Sequence, residues 1–151
     1  MKKLLNLVQK RIFKQQESFG KKQFDKSKTI FCDMDGVICY WKKDNYNKDE
    51  VLIMENVNFL KKLINEKNVK IVLTTARSKK KCKQVLKLLK HQGLNFYKCV
   101  YDLGVGQRLV INDKKSTGLK SAFSLNTERN KSFFDLYKEL IEGSDFDVKL
   151  D

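Results

Sequence analysis

From residue 29 onward, apolar residues fall into short runs that alternate with stripes at helical spacing. Thr29-Ile30-Phe31-Cys32 is a β-prone block followed by polar positions, which predicts a short buried strand. Val57, Leu60 and Ile64 recur three and four residues apart, predicting a helix over 55–67 with one apolar face. Val69 to Leu73 reads as a second strand. Ser78 then heads a helix whose buried stripe is Cys82, Val85, Leu86 and Leu89, and Gly93 ends it. Residues 96–101 and 109–111 read as two further strands, 121–125 as a fifth, and 132–141 as a closing helix. Strands alternating with helices predict an α/β fold, a doubly wound, Rossmann-like parallel sheet of about five strands.

Ahead of this periodic region the pattern is different. Leu4, Leu5, Val8 and Ile12 recur at helical spacing with Phe13 beside them, predicting a short amphipathic helix, and residues 18–28 read as a polar linker. The expected division is therefore a basic leader, 1–28, and a catalytic-sized domain, 29–151. The leader is expected to pack on the domain, with docking to a membrane or a partner as the alternative. Its first residues resemble a signal peptide only briefly, because Asn6, Gln9, Lys10 and Arg11 interrupt any apolar core. No apolar run approaches the roughly 20 residues that span a bilayer.

A chain of 151 residues is long enough for one core, and 41% hydrophobic residues argue against disorder. Cys32, Cys39, Cys82 and Cys99 form no CxxC pair and only one His is present, which argues against a zinc site. Free thiols fit a reducing, cytoplasmic setting. The net charge of +14 is unevenly distributed. The first 28 residues carry nine basic and two acidic side chains, while the last 20 are net acidic. Only four of the 32 basic residues are arginine, a lysine bias that codon composition explains as readily as a polyanion-binding surface does.

Ligands of such sheets bind beyond the carboxyl ends of the strands. After the first strand comes Asp33-Met34-Asp35-Gly36, after the second Thr74-Thr75-Ala76-Arg77, and after the fourth Asn112-Asp113. Three carboxylates and a hydroxyl brought to one sheet edge need a cation, and an all-oxygen donor set suits Mg²⁺ with a phosphate substrate. Gly36 would let the chain turn sharply beside that phosphate. Thr75 offers a hydroxyl, with Thr74 as the register alternative, and Arg77 and Lys79 offer nearby positive charge.

With these three placements the sequence resembles the haloacid dehalogenase-like (HAD) phosphatases over about 29–125. Asp33-x-Asp35-Gly36-Val37 matches the family's first motif, Thr75 before Ala76-Arg77 its second, and Asp113 in Val110-Ile111-Asn112-Asp113 its fourth. The resemblance implies that Asp33 attacks phosphorus to form an aspartyl-phosphate, and that Asp35 serves as general acid and then base. It also implies Mg²⁺ held by Asp33, the carbonyl of Asp35 and Asp113; Asn112 could join directly or through water. The third motif is normally a lysine, yet the loop Leu103-Gly104-Val105-Gly106-Gln107 has none. Lys98, Arg108 and Lys115 are the candidates, with Lys115 placed first because it adjoins Asp113.

Only about a dozen residues, including a possible flap at Tyr40-Trp41-Lys42-Lys43, lie between Ile38 and the next expected helix, so no cap domain is expected. An open site accepts a bulky phosphate ester or is closed by a second copy of the chain. Lys79-Lys80-Lys81 stands at a helix start, against the macrodipole, which points to an anionic ligand or else to a solvated face. Trp41 is suited either to stacking on a base or sugar or to packing over the site, and His91 to a solvated helix end. The expected activity is a Mg²⁺-dependent phosphomonoesterase on a sugar phosphate or related biosynthetic ester. The alternatives are a nucleic-acid end phosphatase and a non-catalytic nucleic-acid or protein-binding module. A phospho-receiver domain fits less well, since its phosphorylated Asp normally ends the third strand, and a nucleotide-sugar transferase would need a longer chain.

Overall fold

The computed structural model describes residues 27–42, 49–67, 69–113, 120–141, 144 and 146. The expected leader helix, Lys115 and the tip of the flap lie outside the described residues. Strand β1 spans Lys28–Asp33, helix α1 Met54–Lys67, β2 Val69–Thr74, α2 Lys79–His91, β3 Lys98–Val100 and α3 Phe134–Ile141. All three strands are parallel, in the order β1-β2-β3. The register sets Cys32 against Leu73 and Asp33 against Thr74, so both strands end level with each other. Parallel neighbours joined by helices bring their carboxyl ends to one edge, which gathers the first two motifs.

Strand β2 is buried along nearly its whole length, as expected of a central parallel strand covered on both faces. Ile71 and Leu73 join Val57, Leu60 and Leu63 of α1 and Cys82, Val85 and Leu89 of α2 in one core. The α2 stripe is the one expected from its spacing, although Ser78 stands at the N-cap without a side-chain capping bond. Gly93 takes a φ of +78° just beyond α2, where a left-handed residue closes the last turn. Phe59 of α1 meets Phe133, Phe134 and Tyr137 edge-on at centroid distances of 5.0–5.5 Å, which docks α3 onto α1.

The sheet departs from the expected five strands. Among the described residues three strands form, and their order runs one way without the reversal that defines a doubly wound sheet. Residues 109–111 do not pair: Leu109 and Ile111 are 84% and 85% exposed. Residues 121–125 are likewise outside any strand. An apolar run shows a tendency to extend, whereas a strand also needs a neighbour in register, and that neighbour is not legible locally. Only residues 34–53 separate β1 from α1 and 75–78 separate β2 from α2, which leaves no space for a folded cap at either point.

Candidate active site

The chain turns sharply after β1. The amides of Ile38 and Cys39 both donate to the Met34 carbonyl, at 2.9 and 3.0 Å, and the Gly36 amide donates to the Cys39 carbonyl at 2.7 Å. Gly36 takes a φ of +80°, a conformation that side chains with a Cβ resist. Beyond the turn, Cys39 bridges antiparallel to Leu52, and the Tyr40 amide donates to the Val51 carbonyl at 2.9 Å. Residues 39–41 and 50–52 thus form the two arms of a flap beside the turn.

The two carboxylates of the first motif face different surroundings. Asp35 is gripped by Arg77, whose Nε lies 3.0 and 3.1 Å from the two carboxylate oxygens and whose Nη2 lies 2.5 Å from Oδ1. The same guanidinium donates to Glu50 on the flap. All three side chains are largely shielded, at 11%, 22% and 15% exposure for Arg77, Asp35 and Glu50. Burial opposes the charge on Arg77, but the hydrogen bonds it donates to Glu50 and Asp35 outweigh that and raise its pKa above the ordinary arginine range.

Asp33 is more open, and its counterion is Arg108, with Nη2 3.5 Å from Oδ1. Burial lifts the Asp33 carboxyl above its ordinary value, and Asp35 adds to the lift. Arg108, the Met34 amide and Arg129 pull the other way. Buried thiols flank both carboxylates: burial, then the neighbouring Asp33, pushes the Cys32 thiol up to about 12, and burial with Asp35 does the same for Cys39. These cysteines are core residues with no thiolate character.

The second motif splits into two roles. Thr74 donates its hydroxyl to the Cys32 carbonyl at 3.2 Å, fastening β2 to β1 just below the site. The fully buried Thr75 accepts the Arg77 amide at 3.1 Å, and its own amide donates to Val100 at 3.0 Å. With its oxygen accepting that bond, the Thr75 hydroxyl hydrogen remains as a donor. Lys79 is exposed in the first turn of α2. Asn112 and Asp113 lie in the 109–113 segment, which is held to residue 121. The Asn112 amide donates to the Ser121 carbonyl at 2.9 Å, and the Ser121 hydroxyl donates to the Asp113 carbonyl at 2.5 Å.

The fold therefore brings Asp33, Asp35, Gly36, Thr75 and Arg77 together. Among the described residues no three acidic, Cys or His side chains form a metal-sized cluster. Asp33 meets a guanidinium and Asp35 is engaged by Arg77, so the described donor set is not a complete Mg²⁺ cage.

Four residues at the site were not singled out from sequence for these roles. Asn56 of α1 is fully buried; its amide donates to the Val37 and Lys131 carbonyls at 2.7 and 2.9 Å and its oxygen accepts the Phe133 amide at 3.0 Å. Asn130 grips Trp41 through both amide and carbonyl, at 2.7 and 3.1 Å, and its own amide donates to Gly36 at 2.7 Å. The Arg129 guanidinium carbon lies over the Trp41 ring, 4.1 Å from its centroid. Glu50 completes the Arg77 clamp. One signal was available: in a lysine-dominated chain, three of the four arginines stand around this loop.

An α/β domain with a parallel three-stranded sheet, an Asp-x-Asp turn after β1 and a Thr-x-Arg after the adjacent strand has the makings of a HAD-like fold. Residues 29–127 match the family described as the HAD domain in Swiss Army Knife RNA repair proteins, and the chain belongs to this family. No curated protein and no solved structure matches the chain. Among the described residues no helix is long and apolar enough to cross a membrane.

Proposed function

We propose that the protein is a phosphoric monoester hydrolase acting through an aspartyl-phosphate on Asp33, with the phosphorylated end of a nucleic-acid strand as its substrate class. The observation that carries this reading is the unequal treatment of the two carboxylates: Asp33 is more open and ion-paired at 3.5 Å with Arg108, while Asp35 is fixed by a bidentate guanidinium. A nucleophile needs access and a nearby cation to hold the phosphate, whereas a proton carrier needs a fixed position. Arg108, at Asp33, takes the part that a lysine plays in the family's third motif.

In the first step an Asp33 oxygen attacks phosphorus, the ester P–O bond breaks, and the leaving oxygen takes a proton from Asp35. In the second, Asp35 removes a proton from water, which attacks the phosphoryl group and frees Asp33 and inorganic phosphate. Thr75 would donate its hydroxyl to a phosphate oxygen, and Lys79, with Lys115, would add positive charge. A Mg²⁺ requirement belongs to the proposal, with Asp33 as first ligand and Asp35, Asp113 and Asn112 as the further expected ones; bound there, the ion would screen carboxylate from phosphate.

A small sugar phosphate suits the bare motif equally well. The nucleic-acid end is preferred because the matched family is described from RNA repair proteins, and because an uncapped site admits a bulky ester. The expected result is hydrolysis of a 3′-phosphorylated RNA oligonucleotide and of an aryl phosphate, both abolished in Asp33→Asn and by EDTA. Full-rate turnover by Asp33→Asn would exclude the mechanism. Oligonucleotide binding without turnover of any ester would favour the non-catalytic alternative.

A further inference from the structure

We propose that Arg129, seated on Trp41, is a specificity-determining residue that binds a second phosphate of the substrate, the phosphodiester adjoining the terminal monoester of a nucleic-acid strand. This rests on the reading of Asp33 as the site of phosphate transfer.

Three observations place Arg129 for this task. First, it crosses the catalytic turn: a Cβ built on Gly36 would stand 2.7 Å from the Arg129 Cγ, so the arginine stem runs directly over the loop that follows Asp33. Second, its position is built. Asn130, at a φ of +64°, ties the 126–131 segment to Gly36 on one side and to both polar groups of the Trp41 backbone on the other. The guanidinium is thereby laid on the indole at 4.1 Å. Third, its donors are not consumed. Arg77 is spent on two carboxylates and Arg108 is ion-paired with Asp33, whereas Arg129, which is exposed, reaches Asp33 only through its longer-range charge and among the described residues has no carboxylate within ion-pair distance. A guanidinium held over an aromatic face without a carboxylate partner keeps N–H donors that suit phosphate oxygens.

A monoester at Asp33 offers one anionic group, for which Arg108 is already in place. A second fixed arginine, whose stem crosses Gly36 and whose charge reaches Asp33 only beyond ion-pair distance, matches a second anion on the same molecule. A nucleic-acid end supplies it as the neighbouring phosphodiester; a small bisphosphate would supply the same chemistry as a free phosphate.

The test compares wild type with Arg129→Met, which keeps the aliphatic stem over Gly36 and removes the charge. Three substrates are used: uridine 3′-phosphate, uridine 3′,5′-bisphosphate and a 3′-phosphorylated RNA decamer. The expected result is a loss in kcat/KM on the decamer about tenfold or more larger than on uridine 3′-phosphate, carried mainly by KM. Trp41→Ala, which removes the seat, should shift the ratio the same way, and Trp41→Phe should restore part of it. A matching loss on the bisphosphate assigns the subsite to any second phosphate, and a loss confined to the decamer assigns it to the phosphodiester. Equal losses on all three substrates, or none, overturn the proposal. Should wild type turn over none of them, the phosphatase reading fails separately, and decamer binding decides this one. In an Asp33→Asn background Arg129→Met should weaken the anisotropy-measured affinity about tenfold and lower the salt slope by about 0.7. Unchanged affinity and slope overturn it.

Discussion

Arg77 holds two carboxylates on one guanidinium, so its removal has an asymmetric cost. With the cation gone, Asp35 and Glu50 face each other in a largely shielded pocket, whereas removing Glu50 leaves the Asp35 pair intact. Breaking a buried pair by deleting one partner costs more than the pair itself contributes, because the other charge is stranded. Arg77→Gln is therefore expected to lower unfolding stability by about 2–3 kcal/mol, discounted for partial exposure, and Glu50→Gln by less. The double variant should recover part of the loss, a coupling that urea denaturation of all four proteins would measure. Gly36 makes a second residue-scale prediction. Alanine there must adopt a φ near +80° and displace the Arg129 stem, so Gly36→Ala should cost about 1–2 kcal/mol and reduce turnover of the aryl phosphate. Neither cost depends on the identity of the substrate.

At the scale of elements, α1 joins the turn after β1 to the start of α3 through Asn56. That one side chain satisfies the Val37 and Lys131 carbonyls and the Phe133 amide. Asn56→Leu leaves those backbone groups without their partner in the interior, and a stability loss of about 2–4 kcal/mol is expected in chemical denaturation. Phe59→Ala, which empties the aromatic contact between α1 and α3, should cost about 3–5 kcal/mol. The two variants differ in what else they disturb, since only Asn56→Leu also loosens the turn that carries Asp33 and Asp35, and only it should lower kcat beyond its effect on folded fraction. These elements also show what local sequence can and cannot reveal. The spacing of Val57, Leu60 and Ile64, the apolar block at 69–73 and the α2 stripe carry their own periodicity, and β1, β2, α1 and α2 were legible to within a residue or two. The Asp33–Asp35 turn and the Thr75–Arg77 turn were legible because the residues just past a parallel strand fall at one edge. Asn56, Asn130 and Glu50 were not, because their partners stand 75, 89 and 27 residues away and no periodicity reports such a meeting. The segment at 109–111 failed the other way: its apolar run promised a strand, but pairing is a property of two segments, and a single run does not specify its partner.

For the whole molecule, the two thiols beside Asp33 and Asp35 link folding to alkaline pH. In the native protein burial, reinforced by Asp33 and Asp35 respectively, pushes Cys32 and Cys39 up to about 12, from an ordinary value of 9.0. Between those limits the unfolded chain releases protons that the folded chain retains. The unfolded state then binds fewer protons, so the stability of the fold must fall as pH rises. The contribution is fully present below about pH 9 and is lost progressively as pH climbs toward 12. The net charge of +14 acts in the opposite sense, because lysines that discharge above pH 10 relieve self-repulsion. The thiol effect is therefore isolated by difference. Thermal melts of wild type and of Cys32→Ala/Cys39→Ala between pH 7.5 and 10.5 should run parallel below pH 9 and converge above it, the variant being less stable at neutral pH but less sensitive to alkali. Curves that stay parallel to pH 10.5 would mean that these thiols ionise in the folded protein as readily as in the unfolded one. That result would contradict a sealed core beneath Asp33 and Asp35, on which the fixed geometry of the turn depends.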